Sequence, residues 1–174
     1  MKKPAEDKRP LPSFSRQKGW KTHAAALAKL PLARLAMGLA VKLTVPRQRV
    51  GVALVALNSA NELFMLRHVF HPYFEWGLPG GWLKKNEAPE AGILRELREE
   101  TGLTAVLGPA VSVTHDTQPP HIGIAYVGRL AEGSVTLSHE IIEARWFALD
   151  NLPRPLTRHT KQAIQAAVRA NWQQ

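Results

Sequence analysis

Apolar runs alternate with polar turn segments along most of the chain, and their spacing predicts both strands and helices. Residues 49–57 are apolar and rich in β-branched side chains, which predicts a buried strand, and residues 62–68 predict a second one. The turn cluster 58–61 lies between them and predicts a β-hairpin. Further strands are expected at three later segments: Val106–His115, Ile122–Leu130 and Glu143–Phe147.

Two segments of this region have the features of helices. Pro89 suits a first helical turn, Glu90 suits the positive end of a helix dipole, and Gly102 suits a C-terminal stop. Residues 157–172 are amphipathic and predict a terminal helix. The order of strands, helix, strands and helix favours a mixed α+β or sandwich domain over a regularly alternating β/α fold.

The first 48 residues form a different kind of segment. Residues 1–20 are predicted to be an arm, and residues 21–43 one or two short helices broken near Pro31. Leucines form an apolar stripe in this segment: Leu27, Leu30, Leu35 and Leu39. We therefore divide the chain into a partly helical extension, 1–48, and a domain, 49–174.

The charge of the chain follows the same division. The net charge is +9, and residues 1–48 alone hold 11 Lys/Arg against 2 Asp/Glu, while residues 49–174 hold 12 of each. The domain is therefore balanced, and a basic groove across the fold, as in many nucleic-acid binders, is not indicated. The chain has no cysteine, which excludes disulfides, thiol catalysis and cysteinyl metal sites.

The chain carries no pattern of a secretory signal or a membrane span. The polar first 21 residues lack an apolar signal core, and the apolar stretch 24–41 contains Lys29, Pro31 and Arg34. Each of the two charges costs about 2.5–3.5 kcal/mol at the centre of a bilayer. We expect a cytoplasmic protein.

Three glutamates in the first helix of the domain carry the candidate chemistry. Glu96, Glu99 and Glu100 have i, i+3, i+4 spacing, so their carboxylates share one face and repel each other. Hard oxygen ligands of this kind suit Mg²⁺ or Mn²⁺. The alternative is a solvated helix face that Arg95 and Arg98 neutralise.

The whole segment from Gly81 to Leu103 resembles the Nudix box. It has glycine, five residues, glutamate, seven residues and then Arg-Glu-Leu-x-Glu-Glu-x-Gly-Leu. The resemblance implies an α/β/α sandwich around a mixed sheet. It also implies that Glu96, Glu99 and Glu100 hold a divalent cation, with a carbonyl of Gly80 or Gly81 as a further ligand.

The same resemblance implies structural roles for other residues of the box. Arg95 would pair with Glu87, and Gly81 and Gly102 would shape the two ends of the segment. Two positions depart from the usual pattern, and both are mild: Asn86 tolerates a left-handed conformation, and Gly92 would fit close packing against a strand.

The implied reaction is attack of water on phosphorus, in a nucleoside diphosphate linked to another moiety or in a nucleoside triphosphate. A cation lowers the pKa of the attacking water, and a glutamate accepts its proton. Glu99 is one candidate for this base, and Glu140 and Glu143, before Trp146, are the others. Arg95, Glu99, Glu100 and Glu140 are thus the predicted catalytic residues.

The nucleotide has several candidate contacts outside the box. Four residues are predicted to bind substrate: one histidine, His115, and three aromatic residues that can stack on a base, Tyr73, Phe74 and Trp82. Trp76 is interpreted as a core residue, and His121 and His139 as solvated or phosphate-binding. Pro119 and Pro120 lie one and two residues beyond the place where ADP-ribose hydrolases of this family tend to have a proline.

Several alternatives stay open at this point. The extension can pack on its own domain or on a second copy in a homodimer, lie on an anionic membrane, or bind RNA. The activity can instead be removal of 5′ pyrophosphate from RNA, or the domain can be a nucleotide sensor without catalysis.

Overall fold

A computed structural model describes residues 31–71, 73–117 and 119–170. The chain divides into two compact units, residues 1–46 and residues 47–174. Helix α1, Pro31–Thr44, belongs to the first unit, and its leucines are exposed. The predicted arm and the helix expected before Pro31 lie outside the described residues. No helix in the described part of the chain is long and apolar enough to cross a membrane.

The described residues of the second unit form seven strands and two helices. In chain order these are β1 Arg49–Ala56, β2 Glu62–His68, β3 Trp76–Gly77, β4 Gly80–Trp82, α2 Pro89–Thr101, β5 Ala105–Thr117, β6 Pro120–Leu130, β7 Ile141–Ala148 and α3 Arg158–Ala170. They form one sheet of order β4-β1-β6-β5 and a second of order β3-β2-β7. Among these described strands, β1 and β6 pair in parallel and the other pairs are antiparallel, so the first sheet is mixed.

Alternation along β1 places its side chains in two separate cores. Ala53 and Val55 pack in a core with α3, while Val52, Leu54 and Ala56 pack in a core with α2. Strand β2 contributes to both cores in the same way, with Leu63 and Met65 on the α3 side and Phe64 and Leu66 on the α2 side. The strands thus form the middle layer between two helices, which confirms the predicted α/β/α sandwich.

The predicted hairpin between β1 and β2 is wrong. The two strands share only an isolated bridge between Leu57 and Leu63, and they then belong to different sheets. The turn itself forms as expected, with Asn58 accepting hydrogen bonds from the Ala60 and Glu62 amides. Local hydrogen bonds therefore form the turn, while β1 and β2 each pair with other strands of the domain.

Helix α2 begins and ends at the predicted residues. Pro89 is its first residue, and Gly102 at φ 72° closes it with an amide hydrogen bond to the Arg98 carbonyl. Asn86 has φ 62°, so it adopts the left-handed conformation expected of it. A Cβ atom on Gly92 would lie 2.2 Å from Cδ2 of Leu83, so the close neighbour is the residue after β4 and not a strand residue.

Candidate active site

The glycine pair at the start of β4 brings the backbone of this strand against β1. Gly80 pairs with Ala53 and Gly81 with Val52. A Cβ atom on Gly80 would lie 2.1 Å from the Val52 carbonyl oxygen, so no larger residue fits. The Gly80 amide donates a 3.0 Å hydrogen bond to Oε2 of Glu100. Thus the glycine loop contacts the helix face that carries the glutamates.

Arg95 joins this loop to helix α2. Its guanidinium donates to both carboxylate oxygens of Glu87, from Nε at 2.7 Å and from Nη2 at 2.8 Å, and Nη2 also donates to the Trp82 carbonyl at 3.1 Å. Nη1 donates to Glu96 at 2.8 Å and to Glu99 at 2.9 Å. The hydrogen bonds from Arg95 to Glu87, together with one from the Lys84 amide, hold the pKa of Glu87 down at about 2. The ion pair between Arg95 and Glu87 that the resemblance implies is therefore present. Arg95 also binds two of the candidate metal ligands, Glu96 and Glu99.

The three glutamates line one cleft of 460 Å³, the acidic cleft. The rest of its wall consists of two glycines, two aromatic residues, histidines and the turn before β7: His68, Phe70, His71, Gly80, Gly81, Trp82, Ser138, His139 and Glu140. Glu100 is the most buried of the three glutamates, with 8% of its surface exposed. Its burial raises its pKa to about 8, helped by repulsion from Glu96, Glu140 and Glu99 and opposed by the Gly80 amide.

This donor set fits a hard divalent cation. Carboxylates that are buried or crowded together are costly when charged, and a cation among them removes that cost. In the part of the chain that the structure describes, however, no three acidic or histidine side chains are arranged around one point as metal ligands. Glu96 and Glu99 are bound to Arg95 instead. The metal assignment therefore stays a prediction, supported by the chemistry of the cleft.

The three candidates for the base have different surroundings. Glu99 accepts hydrogen bonds from Lys84 at 3.1 Å and from Arg95, and these lower its pKa. Glu143 is paired with Arg145 at 2.5 Å and does not line the acidic cleft. The side chain of Glu140 lines the cleft and is 60% exposed.

A second cleft of 630 Å³, the distal cleft, contains residues that pattern analysis did not bring together. Aromatic and apolar walls surround a polar floor: Phe70, His71, Tyr73, Phe74, Asp116, Pro119, His121, Thr157, Arg158 and His159. A narrower space of 280 Å³ lies between the clefts and shares His71 with both. Asp116 and His159 carried no motif in the sequence, and only the pairing of β5 with β6 and the position of α3 bring them together.

The predicted substrate contacts divide between these spaces. Tyr73 and Phe74 line the distal cleft, and Trp82 lines the acidic cleft, where its ring meets His121 edge-on at 4.9 Å. The structure does not bring His115 into the distal cleft, because neighbouring strand residues face opposite sides and Asp116 faces the cleft. Trp76 stacks edge-on against Phe147 beside the α3 core, as interpreted from the sequence.

A sandwich with a glycine loop and a glutamate-bearing helix at its edge is the architecture that the resemblance of residues 81–103 to the Nudix box implies. Residues 47–167 match the NUDIX domain family, and the chain belongs to this family.

Two curated relatives and a solved structure illustrate this membership. The chain is 29% identical over 110 residues to an ADP-ribose pyrophosphatase of Methanocaldococcus jannaschii, covering 60% of this chain and 65% of that protein. It is 33% identical over 98 residues to an RNA pyrophosphohydrolase of Roseobacter denitrificans, covering 56% and 59%. A MutT NUDIX hydrolase structure from Burkholderia pseudomallei aligns with a TM-score of 0.59 at 26% identity, over 70% of this chain and 98% of that one. The matched part therefore spans about three fifths of these two curated relatives.

Proposed function

We propose that this protein hydrolyses a phosphoanhydride bond in a nucleoside diphosphate linked to another moiety, with ADP-ribose as the first substrate to test. The observation that carries the proposal is the acidic cleft, where Glu96, Glu99 and Glu100 meet the glycine loop. The ADP-ribose pyrophosphatase among the relatives supports the choice of substrate.

Glu96, Glu99 and Glu100 would hold a divalent cation, Mg²⁺ or Mn²⁺, with the Gly80 carbonyl as a candidate further ligand. The cation would supply charge neutralisation for the diphosphate and a lowered pKa for the attacking water. The remaining roles belong to the chain itself. Arg95 positions Glu96 and Glu99 through its hydrogen bonds, and the Gly80 amide positions Glu100.

We assign proton transfer from the attacking water to Glu140. Its carboxylate lines the acidic cleft, and its side chain is mostly exposed, so it can reach a water molecule at a bound diphosphate. Glu99 is less suited to this role because two cations, Lys84 and Arg95, hold its carboxylate. Glu143 is less suited as well, because it does not line the acidic cleft.

A metal-dependent substrate screen tests the proposal. Purified protein is incubated with ADP-ribose, other nucleotide sugars, nucleoside triphosphates, dinucleoside polyphosphates and NADH, with Mg²⁺, Mn²⁺ or a chelator, and phosphorus NMR identifies the products. We expect turnover of at least one diphosphate, lost with the chelator. Tight binding without turnover of any compound would instead support the nucleotide-sensing alternative.

Removal of pyrophosphate from RNA is the second candidate function. Two observations favour it: the charge of +9 carried by residues 1–48, and an RNA pyrophosphohydrolase among the relatives. Short triphosphorylated RNA is assayed with the full chain and with residues 1–46 removed. Loss of RNA turnover with the extension, while small nucleotides are still hydrolysed, would support this function, and no RNA turnover by the full chain would exclude it.

A further inference from the structure

We propose that the distal cleft binds a ribose ring of the substrate, with Asp116 accepting hydrogen bonds from its two neighbouring hydroxyl groups. This inference rests on the proposed function, because it assigns a place to the part of the substrate beyond the diphosphate. The carboxylate, two histidines and the aromatic wall are the features that carry it.

The polar groups of the floor converge without bonding directly to the carboxylate. Oδ2 of Asp116 lies 3.6 Å from Nε2 of His121 and 3.9 Å from Nδ1 of His159. Both distances exceed those of a direct hydrogen bond. A ligand hydroxyl group placed beside these atoms can donate a hydrogen bond to Oδ2 of Asp116, because neither ring nitrogen lies close enough to occupy that oxygen.

Other contacts hold both histidine rings in place. Nδ1 of His121 lies 2.7 Å from the Pro119 carbonyl, which can only accept, so this nitrogen donates. Nδ1 of His159 lies 2.7 Å from Oγ1 of Thr114. The ring of His159 also lies over Gly123, where a Cβ atom would be 2.4 Å from Cε1. The floor is therefore built before any ligand arrives.

The charge of the distal cleft favours a neutral ring over a phosphate. Asp116 and Arg158 carry opposite charges, and burial lowers the pKa of His159, so its imidazole is neutral at pH 7. A carboxylate in the floor repels an anion, whereas it accepts from a hydroxyl pair. The apolar side chains of the wall, among them Phe70 and Phe74, offer surfaces for a sugar or base ring.

The position of the distal cleft fits the rest of a substrate whose diphosphate lies in the acidic cleft. The space between the clefts is lined by residues of both, including Trp82 and His121, whose rings are in contact. A diphosphate that links two moieties spans such a groove. ADP-ribose contains two ribose rings with a neighbouring pair of hydroxyl groups, the adenosine ribose and the terminal ribose. The experiment below distinguishes these two rings.

Binding is measured by calorimetry in the Glu140→Gln background with Mg²⁺, because this variant is expected to slow turnover while the three candidate metal ligands stay in place. The ligands are ADP-ribose, an analogue without the two adenosine ribose hydroxyls, and an ADP alkyl ester without the terminal ribose. Each is tested with and without Asp116→Asn. Asp150→Asn, the same chemical change at an exposed turn after β7, is the matched control.

We expect Asp116→Asn to raise the Kd for ADP-ribose by about 10- to 100-fold, while Asp150→Asn leaves it unchanged. One analogue should bind as weakly as ADP-ribose binds the Asp116→Asn protein, and its Kd should not respond to that substitution. That analogue identifies the ribose in the distal cleft.

Unchanged affinity of the Asp116→Asn protein for ADP-ribose would overturn the proposal. Equal affinity of all three ligands for the protein with Asp116 intact would overturn it as well, and this arm needs no variant of the cleft to fold. Binding that depends on the hydroxyl pair in a wild-type protein without turnover would support the cleft assignment while the proposed hydrolysis fails. The two proposals are thus tested separately.

Discussion

The carboxyl group of Glu96 packs directly against Gly81: a Cβ atom on Gly81 would lie 2.5 Å from Cδ of Glu96. The glycine that opens the box therefore leaves space for a candidate metal ligand fifteen positions later in the chain. This contact links the loop conformation to the position of the carboxylate.

Gly81→Ala is expected to reduce activity without unfolding the protein. The new methyl group meets the end of a flexible side chain, so Glu96 can swing away, but its carboxylate then leaves the acidic cleft. We expect kcat/KM to fall by about 10-fold or more and Tm to change little. Gly38→Ala is the control, because apart from its chain neighbours and the backbone of its own helix no described atom lies within 4 Å of its Cβ position. Wild-type activity of Gly81→Ala would contradict a role for Glu96.

Glu100→Gln is expected to reduce turnover by at least about 100-fold while the protein stays folded. The substitution keeps the shape and removes the charge of the most buried box glutamate. Because burial and, after it, the neighbouring carboxylates disfavour that charge, its loss should not lower the Tm of the metal-free protein. Calorimetric titration with Mg²⁺ and steady-state rates check both points, with the exposed Glu132→Gln as control. Near-normal turnover would refute the metal assignment.

Glu140→Gln tests the assignment of the base. An amide cannot accept the proton of the attacking water, so we expect kcat to fall by roughly 100-fold, with little change in substrate affinity. Single-turnover rates separate chemistry from binding. The matched variant is Glu143→Gln, at a carboxylate that pairs with Arg145 outside the acidic cleft. A larger loss of kcat in Glu143→Gln than in Glu140→Gln would reverse the assignment.

Arg95→Lys is expected to weaken both stability and activity although the charge is kept. A lysine ammonium cannot reproduce the two-oxygen contact with Glu87 and also reach Glu96, Glu99 and the Trp82 carbonyl. We expect a Tm lower by several degrees and kcat lower by about 10- to 100-fold. Thermal melts and rates check this, with Arg98→Lys on the same helix as control. Equal effects of the two substitutions would argue against a special role for Arg95.

His68 should make stability depend on pH in the acid range. Burial, reinforced by neighbouring His71, lowers its pKa from 6.5 to about 4, so between these values the unfolded chain binds a proton that the folded protein does not. The stabilising effect of the neutral ring is therefore present above pH 6.5 and is lost as pH falls toward 4.

We expect the free energy of unfolding to fall by about 1–2 kcal/mol more in the wild type than in His68→Gln between these pH values, after allowance for solvent screening. Urea titrations of both proteins at pH 7, 5.5 and 4 give this difference. Parallel losses of stability would show that other groups titrate there.

The strand and helix positions were mostly predictable because local patterns determine them. Pro89 and Gly102 mark the ends of α2 through backbone preferences that need no distant contact. The short strands β3 and β4 were not predicted, because two or three residues carry no periodicity. The hairpin of β1 and β2 was predicted wrongly, since pairing with β4, β6 and β7 depends on the whole domain.

The sequence by itself determined the family and the candidate metal ligands. Helical spacing alone puts Glu96, Glu99 and Glu100 on one face, and the box extends this to the glycine loop and Arg95. Only the tertiary structure decided which residues line the distal cleft and the space between the two clefts. It places Asp116 and His159, which are 43 residues apart in the sequence, in the same cleft, and it leaves His115 outside that cleft. The reason is that the direction of a side chain along a strand depends on the register of the strand and on which face another element covers.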